Sequence, residues 1–379
     1  MSSSSANPSL QVTISSKQIL SISLPIALAI MVPQINFVIN NIFLGALSSE
    51  ALAIGGITGV YYLIFGVMGQ GLNNGLQALI SRRAGENRID EIGILFSQGV
   101  IISFFLAAIG IVFTYFIAPP IFYAVLKDSH RATIVIEFLK IRIWGIPFLF
   151  IYQMRNALLV GTNQSKFLII GTATEAIFNI FFDYSLIFGH FGCKAFGLNG
   201  AAYASIIAEA MGLLVIYLVI HFQKIGVRFK LFESFSLRWN YIQLIIVQSF
   251  PLIMQYMISI ISWEFFYILI EHRGEQALAV SNAMRNIFGF FGSFTWAFAA
   301  TTNTMVSNII GQNKQDQVIV LINKIVRWSV GFAFIVCVLL NIFVRPFLSI
   351  YGQGEGFMQE GIPVVRVVSF ALVLMSIAT

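Results

Sequence analysis

ALAIGGITGVYYLIFGVMGQGLNNGLQALISRRAGEN, residues 51–87, returns 226 positions later as ALAVSNAMRNIFGFFGSFTWAFAATTNTMVSNIIGQN, residues 277–313. The same offset relates Pro25 in SLPIAL to Pro251 in SFPLIM. It also carries Ser81, Gly85, Asn87 and Asp90 onto Ser307, Gly311, Asn313 and Asp316. The register holds without a gap from Pro25 to Asp90. Duplication inside a very apolar chain points to a membrane protein built from two related halves.

Composition agrees. The 379 residues are 58% apolar and 10% charged, with a mean hydropathy of +0.86. An ordinary soluble domain carries about 25% charge, so that class is excluded. The net charge of +6 therefore does not signal nucleic acid. It reads as the lysine and arginine bias that orients membrane helices. Cys193 and Cys337 imply no disulfide framework.

Ten apolar segments run roughly over 18–43, 51–80, 94–118, 132–160, 167–190, 197–222, 241–270, 276–310, 318–344 and 360–379. Their continuous apolar character fits spanning helices and not the alternating pattern of a membrane barrel. With the N-terminus inside, cytoplasmic segments hold eleven basic residues and the opposite loops five, which favours a cytoplasmic N-terminus. The expected architecture is an all-α polytopic membrane protein of two homologous six-helix bundles, the second incomplete, with about ten transmembrane helices. Residues 1–16 read as a disordered cytoplasmic tail, 17–222 as the first lobe, 223–240 as a cytoplasmic linker and 241–379 as the second lobe. By the repeat, counterparts of spans five and six fall beyond residue 379. A fragment, a truncated gene product and a ten-helix variant all satisfy that register.

Gly66, Gly69, Gly71 and Gly75 map onto Gly292, Thr295, Ala297 and Thr301. Small residues at these spacings let helices approach closely. A nucleotide-binding loop is the rival reading, but no strand precedes these glycines. Pro25, Pro33 and Pro251 lie within spans, where each frees a carbonyl and permits a bend.

A carboxylate at the centre of a bilayer helix costs about 2.5–3.5 kcal/mol on insertion scales. Glu175, Asn179 and Asp183 recur every four residues in span five and so form one polar stripe. Asp183 lies about 25 Å of helix rise beyond Lys166, in the outer half of the membrane. A carboxylate beside an amide suits sodium or a proton; an inert, hydrogen-bonded aspartate is the competing reading. Gln34, Asn36 and Asn40 add neutral polar groups to span one. Glu264, beside Trp263, and Arg285 stand in spans seven and eight. They suit either a structural ion pair or, with Trp263 and Trp296, a site for a cationic substrate. Lys140 and Arg142 near the start of span four read as snorkelling to the interface. The four histidines lack metal-ligand spacing, and no serine–histidine–aspartate set supports an enzyme.

LPIALAIMVPQINFVINNIFLG (24–45), the two repeat segments quoted above, and ATEAIFNIFFDYSLIFGHFGCKAFGLNGAAYAS (173–205) together resemble the multidrug and toxic compound extrusion (MATE) transporters. The likeness covers nearly all of 17–379. It implies two six-helix bundles about a V-shaped cavity, and exchange of sodium or protons for organic cations and other amphipathic compounds. By resemblance, the family's cation site falls on Asn40, Asn179, Asp183 and Ser205. A carboxylate is usual where Asn40 stands, and Glu175 is the residue placed to compensate. Substrate contacts are expected from Gln34, Glu264, Trp263, Arg285 and Trp296.

The expected function is thus an ion-coupled antiporter in the inner (plasma) membrane. It would export cationic or amphipathic molecules as a monomer, with no cofactor beyond the coupling sodium or proton and no nucleic-acid partner. A lipid-linked sugar flippase ranks second, since a diphosphate calls for several basic residues facing the cavity. An inactive remnant is the third reading.

Overall fold

The computed structural model describes residues 10–126, 128–231, 236–271, 275–349 and 354–378, without the side chains at 264, 268, 271, 275–276, 278–279 and 354. In chain order the α-helices are α1 (Ser16–Leu47), α2 (Ser49–Gly85), α3 (Ile89–Val112), α4 (Ala118–Val125), α5 (Ser129–Arg142), α6 (Ile146–Gly161) and α7 (Leu168–Phe188). There follow α8 (Leu198–Phe222), α9 (Ile225–Arg228), α10 (Trp239–Glu271), α11 (Glu275–Gly311), α12 (Val318–Ile342), α13 (Val344–Ser349) and α14 (Gly354–Ala378). Among the described residues, eight helical rods are long and apolar enough to cross a membrane. The remaining two rods, α5–α6 and α11, have comparable length and more polar faces. Together they account for the ten expected spans.

Local chemistry sets the breaks. Ser48 ends α1 and caps α2, its hydroxyl accepting from the Ala51 amide, so the two helices turn within a single residue. Span four breaks into a 3-10 turn at Ile143–Gly145, just before Pro147, whose missing amide cannot continue the ladder. A π-helical turn, Phe113–Ile117, joins α3 to α4 ahead of Pro119 and Pro120. Asn87 and Asn313, repeat partners, both end their helices with positive φ, at 58° and 60°. The helices they follow, α2 and α11, are each 37 residues long and offset by 226 at both ends.

Helix α2 is central, touching α1, α3, α6, α10 and α11. Helix α1 lies against α7 and α11; α11, α12 and α14 pack together. The glycine stripe of α2 is a packing device. A Cβ on Gly71 would meet the Ile253 backbone of α10, and one on Gly75 would meet Ser249. The end bearing Arg82, Arg83, Arg88, Lys166 and Lys314 is termed inner after that charge.

One expectation changes here. Residues 10–15, expected within a disordered tail, are held in place, with Leu10 and Val12 buried in the main core. Two apolar side chains spaced by two share one face of an extended segment, and here they find a groove lined by amides. Among the described residues of 223–240, Ile225, Phe229 and Leu231 are buried, and the Ser97 hydroxyl of α3 donates to the Leu231 carbonyl.

Candidate functional site

The polar stripe of α7 faces α1 and α8. Asn179 and Asp183 are buried on it. The Asn36 amide of α1 donates to Asn179 Oδ1 at 2.8 Å, and the Asn179 amide donates to Ser205 Oγ of α8 at 3.4 Å. Helices α1 and α7 both rise from the inner end, so one turn further out Asn40 stands level with Asp183. Asp183 Oδ1 and Oδ2, Asn36 Oδ1 and Asn40 Oδ1 are all buried without a hydrogen-bond partner among the described residues. Four orphaned oxygens within two adjacent turns of the bundle are an unusual cost. They are the donor type that hard cations take, and the single carboxylate also suits a proton. Asn36, Asn179 and Ser205 are thus linked by hydrogen bonds, and Asn40 and Asp183 lie one turn further out on the same helices.

Glu175 lies one turn inward, its Cβ against Gly212 of α8. Near it is a charged array that sequence reasoning missed. Arg142 and Glu209 pair at 2.5 and 3.1 Å, both largely buried. Tyr62 of α2 stacks its ring 3.7 Å from the guanidinium, and its hydroxyl donates to the same carboxylate. Arg142 does not snorkel: the break after it turns it inward, and Gly145 leaves room for the pair. Arg155, one of the eleven basic residues assigned to cytoplasmic segments by sequence, is 1% exposed, bonds Asn156 and lies over the Tyr152 ring. Gly171 makes the space for it on α7. The available signal was Glu209 itself, a lone acid in an apolar run, subject to the same insertion cost as Asp183.

The substrate candidates lie elsewhere. Trp263 and Trp296 are partly exposed and bracket Phe288, at 6.1 and 6.2 Å between ring centroids. Arg285 stands 5.2 Å from the Tyr267 ring centre. The Glu264 side chain lies outside the described residues, and so does the expected Glu264–Arg285 pair. Gln34 of α1 faces Gly289 of α11 beside a crevice of about 190 Å³ that Phe37, Asn286 and Phe290 help to line.

At the inner end the halves seal against each other. Gln77 donates to the Ala300 carbonyl and to Thr304 Oγ1; Asn303, its repeat partner, donates to the Asn74 carbonyl. A Cβ on Gly85 would fall on the Asn308 carbonyl oxygen, and one on Gly311 on that of Arg82. Each contact is the other's image under the 226 offset, so a pseudo-two-fold axis passes through the seal.

The MatE family model matches residues 25–185 and 251–379. The chain belongs to the MatE family. The two matched segments of this MatE chain begin at Pro25 and Pro251, the prolines that open the repeat. It is 25% identical over 220 residues to a probable multidrug resistance protein NorM of Synechocystis sp., covering 58% of this chain and 47% of that protein. It is 28% identical over 236 residues to the NorM of Halalkalibacterium halodurans, covering 59% and 50%. The matches thus span about half the length of these relatives. Against an uncharacterised transporter, YisQ of Bacillus subtilis, identity is 22%, covering 83% and 69%. Its fold matches an outward-facing multidrug resistance MATE family transporter with a TM-score of 0.88 at 17% identity, covering 99% and 83%. A MOP superfamily transporter from Pyrococcus furiosus, described by a reversed polarity of its binding pocket, matches with 0.86 at 17%, covering 97% and 81%. The family match and the apolar helices make the MatE chain a multi-pass membrane protein, and its fold is that of these solved transporters.

Proposed function

We propose that this MatE chain is an ion-coupled antiporter that expels amphipathic or cationic organic molecules by alternating access. The observation that carries the reading is Asp183, a buried carboxylate without a partner beside Asn36, Asn40, Asn179 and Ser205. Sodium or a proton at that carboxylate supplies the missing partner. The names of the NorM relatives support drug export as the class of cargo.

The residues divide the labour. Asp183 holds the coupling ion. Asn36, bonded to Asn179, ties α1 to the ion site, and Pro33 lies three residues before it, where the helix can bend. Trp263, Trp296, Arg285 and Gln34 meet the substrate. The sealed inner end keeps the molecule closed on that side while the outer half exchanges its cargo. The eleven-to-five charge split supports an inner-membrane protein with its N-terminus in the cytoplasm. The chain divides into lobes 17–222 and 241–379 and works as a monomer.

Efflux from cells, and uptake into inside-out vesicles under an imposed sodium or pH gradient, tests the reading. Asp183→Asn is expected to abolish gradient-driven transport at unchanged expression. Wild-type transport by that variant would overturn the assignment, and the gradient that drives the wild type identifies the ion.

A further inference from the structure

The inner seal is crossed by a piece of non-helical chain that the antiporter reading leaves unused. Leu10 and Val12 are buried beside the inner ends of α2, α11 and α12. The Asn308 side chain of α11 donates to the Leu10 carbonyl at 2.9 Å and accepts from the Val12 amide at 3.0 Å. Gln312 donates to the Val12 carbonyl, and Lys324 of α12 to the Ile14 carbonyl. Gln11 reaches back to the Gly85 carbonyl of α2. One side-chain amide reading the carbonyl of residue i and the amide of i+2 does what a neighbouring β-strand does for an extended peptide. The alternate side chains then fill apolar space.

The second half repeats the device. Gln98 of α3, fully buried, donates to the Ser236 carbonyl at 3.1 Å and accepts from the Arg238 amide at 3.0 Å. Residues 236 and 238 are 10 and 12 displaced by 226. The clamps are crossed. The segment that leads into α1 is held by α11 of the second half, and the segment that leads into α10 is held by α3 of the first. The clamping amides are not repeat partners of each other, so the crossing is no by-product of duplicated clamp residues.

We propose that the inner ends of α2, α11 and α12 form a docking groove for an extended peptide, that its occupant is the chain's own residues 10–14, and that this strap latches the inward-closed state. The latch rests on the alternating-access reading above. The coupling lies in Asn308: the same Nδ2 that bonds Leu10 also bonds the Ser81 carbonyl of α2 across the seal. Parting α2 from α11 at that point dismantles the groove, so the strap binds the closed state and adds its whole docking energy to that side of the equilibrium.

The test uses the full chain in lipid nanodiscs, with Cys193→Ser and Cys337→Ser removing the native thiols. Spin labels at Lys166→Cys and Asp316→Cys report the separation of the inner ends by pulsed electron resonance. Deleting residues 1–14 is expected to turn a single short distance into a distribution dominated by a longer one. Leu10→Asp, which keeps the chain length, is expected to shift it partway. A synthetic peptide SLQVTISS, residues 9–16, added to the deletion variant is expected to restore the short distance. Unchanged distances in both variants would overturn the latch. A long distance that the peptide does not reverse would overturn the groove. The readout is blind to cargo and to Asp183, so failure of ion-coupled efflux would leave this result standing.

Discussion

The two halves share a scaffold and differ in what they bury. Helices α2 and α11 have the same length and the same terminal turn, and they meet through images of the same contacts. Yet the buried charges among the described residues, Arg155, Asp183 and Glu209, all fall in the first half. The second half buries serines, threonines and Asn308. Most of those hydroxyls are satisfied by their own helix, as Thr301 and Thr304 are by the carbonyls four residues back. Packing by self-satisfied hydroxyls asks nothing of a neighbour's charge, whereas a buried ion pair fixes its helices in one arrangement. The first half thus buries charge, and the second packs through hydroxyls and one amide.

The Arg142–Glu209 pair is the place to break that contrast. Glu209→Gln leaves a buried guanidinium with its counter-charge gone, and is expected to cost about 3–5 kcal/mol. Thermal unfolding in detergent measures this. Arg142→Met combined with Glu209→Leu is expected to recover most of the loss, because the cost lies in the orphaned charge and not in the absent pair. A double variant as unstable as the single one would mean that the pair itself holds α5 to α8.

This pair also marks the limit of what was legible in the sequence. The ten spans were readable because apolar runs and the repeat report the bilayer directly, and segment ends moved by only a few residues. Asp183 and Asn179 were readable because the i, i+4 spacing put them on one face. Arg142 and Arg155 were not, since a basic residue near a helix end reads as snorkelling until the break at Ile143–Gly145 or the gap at Gly171 is known to turn it inward. The strap was hidden for a different reason. Twelve polar or small residues in MSSSSANPSLQVTISS dominate its composition, while the groove that orders Leu10 and Val12 is assembled from residues some 300 positions away.

The shared scaffold predicts symmetric damage. Gly85→Ala and Gly311→Ala each drive a methyl group into the facing carbonyl at the seal. Overpacking of this kind costs about 1–3 kcal/mol. The two variants are expected to agree within about 0.5 kcal/mol in unfolding, and both to lower efflux by loosening the inner closure. Unequal losses would show that the halves, though superimposable in register, do not carry the seal equally.

The smallest effect is the most diagnostic of the second half's design. Thr301 is fully buried, and its hydroxyl donates to the Ala297 carbonyl at 2.7 Å. That carbonyl already receives the helical amide of Thr301, so replacing the hydroxyl with a methyl strands no donor and leaves the acceptor engaged. Thr301→Val is therefore expected to change the unfolding free energy by less than about 1 kcal/mol, within the net worth of a single neutral hydrogen bond. A loss comparable to that of Glu209→Gln would mean that Thr301 serves a partner outside its own helix. The division between a half that holds charge and a half that merely packs would then fail at its least charged point.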